Sequence, residues 1–165
     1  MRVIGLRHGF RPAALAVFVL VLGTLVYVLD RPAELVPFFA PFSLAHLTLP
    51  LFGKFGQSLP TFTHVFAFSV LTGLLLSGTR RAALAACLSW FTLDTAFEVG
   101  QHAAVAGKLM ACIPSGLESA PVLRHTRDYF MNGTFDPWDL LSIAVGAVAA
   151  YAVILWTAER QSKDA

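Results

Sequence analysis

The chain has 165 residues, of which 56% are hydrophobic and 13% are charged, and its mean hydropathy is +0.67. Because a soluble domain usually carries about 25% charged residues, this composition indicates a membrane protein and excludes an ordinary soluble domain. The formal net charge of +2 comes from scattered basic residues, which excludes a nucleic-acid partner. The length allows one domain, residues 1–165.

Four segments are apolar over nearly the roughly 20 residues that a membrane-spanning helix needs. In chain order they cover about residues 12–29, 60–78, 82–101 and 138–157. None of them alternates with the period of a transmembrane barrel strand. The predicted fold class is therefore an all-α membrane protein, a bundle of four transmembrane helices.

Basic residues predict the orientation of this bundle. The first segment follows Arg2, Arg7 and Arg11 and ends without a small-residue cleavage site, so we expect a retained signal anchor. Lys and Arg are denser on the side that holds the N-terminus, the Arg80-Arg81 turn and the C-terminal residues. By the positive-inside rule, both termini are expected to be cytoplasmic.

The two longer connections then lie on the outer side. The connection over about residues 30–60 contains five prolines and five phenylalanines. Proline prevents a long helix, while the aromatic content favours the membrane surface. We therefore expect an interfacial or re-entrant loop with a short helix near 43–52. The long outer loop at 102–137 is more polar, and a short helix is expected around 119–131.

Polar side chains close the third segment, which ends in LDTAFEVGQH. They are Asp94, Glu98, Gln101 and His102. At about 100° per residue they share one helix face. An ionisable group at the centre of a bilayer costs roughly 2.5–3.5 kcal/mol on insertion scales. The pattern therefore predicts partners for these groups on neighbouring helices.

Such partners are expected from the second and fourth segments, which both start on the outer side. His64 follows the start of the second segment, and Asp136 and Asp139 stand at the start of the fourth. Each also has a structural interpretation. Asp136 precedes Pro137 and can cap a helix, Asp139 in the first turn is favoured by the helix dipole, and His64 can be a bonded core histidine. His102 is interpreted as the exposed start of the loop.

Two further patterns are interpreted as structural. Ser142, Gly146 and Ala150 form a row of small residues on the fourth segment, which allows close helix packing in lipid. Cys87 lies in an apolar segment and Cys112 in a polar loop, so a disulfide is not indicated.

These residues resemble the VanZ-like family of small bacterial membrane proteins, whose founding member is associated with teicoplanin resistance. The resemblance covers about residues 60–150, through the stretches THVFAF, FEVGQ and GTFDPWDLLSIAVG. The matching residues are His64, Glu98, Gln101, Asp136, Asp139 and Gly146. It implies a multi-pass protein of the bacterial inner (cytoplasmic) membrane.

The chain also departs from the family pattern. Pro60-Thr61 replace an acidic residue before the histidine, Ile143 replaces an asparagine, and Gly133-Thr134 replace a Gly-Arg pair. If a basic residue completes the site, Arg124 or Arg127 from the long loop is the candidate.

Two functions remain open from the sequence. The first is a pocket at the outer leaflet that binds or modifies an amphiphilic cell-envelope molecule, such as a glycopeptide or a lipid-linked precursor. Its candidate catalytic residues are Glu98, His64 and Asp139, and its candidate ligand-binding residues are Gln101, Asp136, Asp94, Arg124 and Arg127. The alternative is a non-catalytic accessory subunit of a larger membrane complex with a protein partner.

A metal site is a third interpretation, with His64, Glu98, His102 and Asp139 as ligands. No spacing motif supports it, and we assign neither a metal nor a cofactor. Whether the protein is an enzyme stays open at this point.

Overall fold

A computed structural model describes residues 6–32, 40–46, 50–76, 79–112, 114, 116 and 126–163. In these ranges the chain forms α-helices and one short 3₁₀-helix, Ala40–Phe42, and no strand. The α-helices are α1 (Leu6–Leu29), α2 (Phe55–Leu75), α3 (Arg80–Gly100), α4 (Ala103–Cys112), α5 (Thr126–Asn132) and α6 (Pro137–Lys163).

Four of these helices are long and apolar enough to cross a membrane, which confirms the predicted number of spans. The candidate spans are Phe10–Leu29, Phe55–Leu75, Arg80–Gly100 and Pro137–Arg160. α2 begins before Pro60, where the sequence placed its start. Backbone bonds from Gly56 to Phe52 and from Gln57 to Lys54 close the extra turn, so the proline lies inside the helix.

The other three long helices, α1, α3 and α6, pack around α2. α6 also contacts α3 and α1. Small residues allow this packing. A Cβ atom on Gly146 of α6 would lie 2.8 Å from the carbonyl oxygen of Phe62 on α2. Ala150, one turn further along, is fully buried. The predicted role of the small-residue row on α6 is therefore confirmed at these two positions.

The connection between α1 and α2 differs from the prediction. The described residues of the predicted helix near 43–52, which are 43–46 and 50–52, are not helical. The carboxylate of Asp30 instead accepts the backbone N–H groups of Leu51 and Phe52, both at 2.8 Å. These bonds fold the chain back onto the end of α1, and Pro50, a residue that disfavours a helix interior, lies outside any helix. The position of this loop relative to a membrane stays a prediction.

The connection between α3 and α6 contains two helices. α4 was not predicted, and α5 overlaps the end of the helix expected around 119–131, whose residues 119–125 lie outside the described ranges. The Nδ1 atom of His102 accepts a bond of 3.2 Å from the backbone N–H of Ala104. His102 therefore caps α4 and is exposed, which confirms its interpretation as the start of the loop.

α1 and α3 end, and α2 and α6 begin, at the same end of the bundle, which we call the site end. α4 and α5 also lie there, because they directly follow α3 and precede α6.

Candidate functional site

A histidine–aspartate pair joins α2 to α3. The Nδ1 atom of His64 lies 2.8 Å from Oδ2 of Asp94. The side chain of Asp94 is 11% exposed, whereas that of His64 is 44% exposed. In the part of the chain that the structure describes, the His64 ring has no second hydrogen-bond partner. The pair therefore has a largely enclosed carboxylate and an accessible imidazole.

Aromatic neighbours fix the orientation of that imidazole. The rings of Phe68 and Trp90 meet the His64 ring edge-on, at centroid distances of 4.5 and 5.7 Å. Phe68 and Trp90 are stacked on each other at 4.8 Å, and Nε1 of Trp90 donates to the hydroxyl of Thr72 at 3.0 Å. The ring is thus held by packing and its Nδ1 bond, the kind of pre-organisation that a functional group needs.

Glu98 is the buried carboxylate of the site and lies one turn beyond Asp94. It is 5% exposed. Its Oε1 atom accepts a 2.6 Å bond from the backbone N–H of Asp136, just before α6. Since the first N–H groups of a helix lack internal partners, Glu98 satisfies a group that would otherwise need a partner at this helix start.

Asp136 itself caps α6. Its Oδ1 atom accepts the N–H of Trp138 at 2.9 Å, and its carbonyl oxygen accepts the N–H of Asp139 at 3.0 Å. The interpretation of Asp136 as a helix cap is therefore confirmed, and the cap uses one of its two carboxylate oxygens.

Asp139 turns towards α2. The hydroxyl of Thr61 donates to its Oδ1 atom at 3.2 Å, and Ser58 provides a further side-chain hydrogen bond. Asp139 also interacts electrostatically with Asp136 and Glu98. The described carboxylates of Asp94, Glu98, Asp136 and Asp139 therefore lie near one another, divided between α3 and the start of α6.

Gln101 ends α3 and faces α5. Its side chain hydrogen-bonds Tyr129 and packs against Gly133, where a Cβ atom would collide with it. A Cβ atom on Gly100 would lie 2.6 Å from the ring of Phe130. Burial raises the pKa of Tyr129 to about 12. Gln101 thus holds α5 against the end of α3 through a hydrogen bond and a packing contact.

Two residues near this cluster were missed by the sequence analysis. Arg31, just beyond α1, interacts electrostatically with Asp139, and its guanidinium donates to the carbonyl oxygen of Gln57 at 2.9 Å. Tyr27 on α1 interacts electrostatically with Asp94 and Asp139. Both residues stand near the end of the first apolar segment, and this position in the sequence could have indicated that they lie near the cluster.

The predicted basic residues are Arg124 and Arg127. Arg127 is an exposed residue of α5, and Arg124 lies outside the described residues, so their proposed role stays a prediction. Among the described residues, Arg31 interacts electrostatically with a site carboxylate, that of Asp139.

The ligand set of the metal interpretation does not assemble. Across the described ranges, no group of three or more His, Cys, Asp or Glu residues is arranged to hold a metal ion. His102 in particular uses Nδ1 to cap α4.

The fold and this cluster define a class: a helical protein with four candidate membrane spans and a polar site at one end of the bundle. No family model, no curated protein and no solved structure matches the chain. The resemblance to the VanZ-like family therefore stays a prediction based on the sequence motifs.

Proposed function

We propose that the chain is a divergent VanZ-like protein of the bacterial inner membrane, whose site end faces outwards and takes an amphiphilic cell-envelope molecule. A glycopeptide or a lipid-linked precursor is the expected ligand. The observation that carries the proposal is the accessible His64 ring, which is bonded to Asp94 at 2.8 Å, one turn of α3 from the buried Glu98.

The depth of His64 favours an amphiphile over a water-soluble ligand. His64 is nine residues from the start of α2, which corresponds to about 14 Å along the helix. At that depth in a bilayer a polar ring with 44% of its surface exposed meets lipid tails or a ligand among them. A molecule with an acyl chain and a polar headgroup can reach this position from the side.

The orientation of the site end rests on the density of basic residues at the opposite side. Arg80, Arg81 and Arg160 lie at the opposite ends of α3 and α6. Under the positive-inside rule, that opposite end is cytoplasmic.

The chemistry of the cluster allows two modes. An imidazole oriented by a carboxylate can accept a proton from a ligand hydroxyl and return it, which is general acid–base catalysis. The carboxylates of the cluster can instead bind an amine or the hydroxyl groups of a sugar without any covalent bond being broken. Both modes use the free side of the His64 ring and the carboxyl group of Glu98.

Substitution of His64 and Glu98 tests the proposal directly. The variants H64Q and E98Q would be expressed in a teicoplanin-susceptible bacterium, with H46Q as the matched control because His46 is exposed on the α1–α2 connection. The measurements are teicoplanin susceptibility, binding of labelled teicoplanin to the protein in nanodiscs, and membrane abundance. We expect H64Q and E98Q to lose both effects at normal abundance, and H46Q to keep them.

Full resistance and binding in H64Q and E98Q would overturn the proposal. If gentle detergent purification also returned a stoichiometric partner protein, the accessory-subunit alternative would replace it.

A further inference from the structure

A cavity lies at the site end, between the end of α1 and the start of α2. Its volume is about 440 Å³. The lining residues are Asp30, Arg31, Pro50, Gly53, Lys54, Gly56 and Gln57. None of them belongs to the His64–Asp94 cluster, and we call this cavity the basic cleft.

Two cations line the basic cleft, and among the described residues neither has a carboxylate within salt-bridge distance. Arg31 uses one guanidinium N–H for the carbonyl oxygen of Gln57, and a guanidinium has five donors. The side chain of Lys54 makes no capping bond, and the residue is exposed. Among the residues with described positions, neither cation forms a salt bridge.

The acidic residue of the cleft does not neutralise both of them. Both carboxylate oxygens of Asp30 are occupied by the backbone N–H groups of Leu51 and Phe52 at 2.8 Å. These bonds hold the carboxylate against the loop backbone, and its negative charge offsets one of the two cations. The residues that line the cleft therefore keep a net positive charge.

The basic cleft also lies at one defined level of the bundle. Arg31 follows the end of the α1 span at Leu29, and Lys54 immediately precedes the α2 span at Phe55. Since α1 and α2 are antiparallel neighbours, these two positions mark the same membrane boundary. Phosphate headgroups occupy that level of a bilayer.

We propose that the basic cleft binds a phosphate group at the membrane boundary, held by Arg31 and Lys54. The planar guanidinium offers paired donors to two phosphate oxygens, and the ammonium adds a compact charge. The positive end of the α2 dipole points to the same place. Arg31 also lies beside Asp139 of the proposed pocket for an envelope molecule, so Lys54 is the residue that tests the basic cleft separately.

Paired lipids test the proposal on the full-length protein in a neutral detergent. Dioleoyl phosphatidic acid and dioleoylglycerol carry the same chains and differ in the phosphate. Native mass spectrometry would measure the binding of each to the wild type and to R31Q, R31K, K54Q and K108Q. Lys108 is an exposed lysine of α4 near the same end and is the matched control.

The expected result is a preference for phosphatidic acid that weakens about fivefold in K54Q and in R31Q, from about 1 kcal/mol per basic residue at an anionic surface. R31K should keep part of the affinity, and K108Q all of it. Equal binding of the two lipids, or an equal loss in K108Q, would overturn the proposal, since the second result describes general surface attraction.

A competition arm identifies the source of the phosphate. Displacement of phosphatidic acid by inorganic phosphate supports a soluble phosphate ligand, and retention of the lipid supports a lipid-borne one. Loss of lipid binding in K54Q with normal teicoplanin response, or the reverse pattern in H64Q, would show that the two sites fail separately.

Discussion

The carboxylate of Glu98 and the backbone N–H of Asp136 are joined by a 2.6 Å hydrogen bond that ties the end of α3 to the start of α6 across 38 residues of chain. Glu98 is only 5% exposed, and the start of α6 carries the positive end of the helix dipole. The residue with a predicted functional role is therefore also a structural one, and experiments must separate the two roles.

Replacement of Glu98 separates them through two variants. E98A leaves the N–H of Asp136 buried without a partner, which costs about 1–3 kcal/mol of unfolding free energy. E98Q keeps an oxygen at the position of Oε1 and should lose less. Unfolding of the purified protein in detergent measures both. The control is E159Q, because Glu159 is exposed near the opposite end. Equal destabilisation by E98A and E98Q would contradict the assigned hydrogen bond.

A double-mutant cycle measures the coupling of His64 and Asp94. Their 2.8 Å bond predicts that H64A and D94A are non-additive, with a coupling of at least about 0.5 kcal/mol in unfolding free energy. The comparison cycle pairs D94A with H102A. His102 is eight residues further along the chain, about 12 Å away along α3, so this cycle should be additive. Additive energies in both cycles would refute the pair.

The four candidate spans could be predicted from the sequence because the pattern that indicates each of them is local. Each is a continuous apolar run, and the costly polar face of α3 could be assigned to a helix end by counting residues. The start of α2 was predicted at Pro60, because proline is common at the first position of a helix. The helix in fact begins at Phe55, and Pro60 lies inside it. α4 was missed since ten residues of small and apolar character give no clear period.

The placement of several predicted residues at one end of the bundle could be derived from the sequence, but their pairing could not. Topology alone brought His64, Glu98 and Asp136 to one end. Which carboxylate meets which partner depends on side-chain direction, and Asp94, not Glu98, meets His64. The nearby arginine was sought in the long polar loop, whereas Arg31 comes from the chain after α1. The position of Arg31 depends on contacts between residues distant in the chain, such as its bond to the carbonyl oxygen of Gln57.

Tyr129 should titrate late. Burial raises its pKa from 10.0 to about 12, although the hydrogen bond with Gln101 acts in the opposite direction. The residue keeps 47% of its surface exposed, so the hydroxyl can still be titrated. The unfolded chain loses this proton near pH 10, before the folded one. Tyr129 therefore contributes stability below pH 10, and that contribution is lost as the pH rises towards about 12.

Ultraviolet titration of tyrosinate in wild type and Y129F checks this order. The difference between the two curves isolates Tyr129 and should have its midpoint above 10. A midpoint at or below 10 would contradict the burial of the Tyr129 hydroxyl beside Gln101 at the end of α3.

Two glycine-to-alanine variants should have opposite signs. A methyl group on Gly146 would lie 2.8 Å from the carbonyl oxygen of Phe62, and this backbone atom cannot move without separating α2 from α6. On Gly107 of α4 the same methyl group meets nothing within 4 Å. There alanine only removes the conformational freedom of glycine in a helix, which is worth about 0.5–1 kcal/mol. G146A should therefore lower the unfolding temperature in detergent, and G107A should raise it. Since both changes add the same atom to a helix, equal shifts would mean that α2 and α6 do not pack as closely as the small-residue row implies.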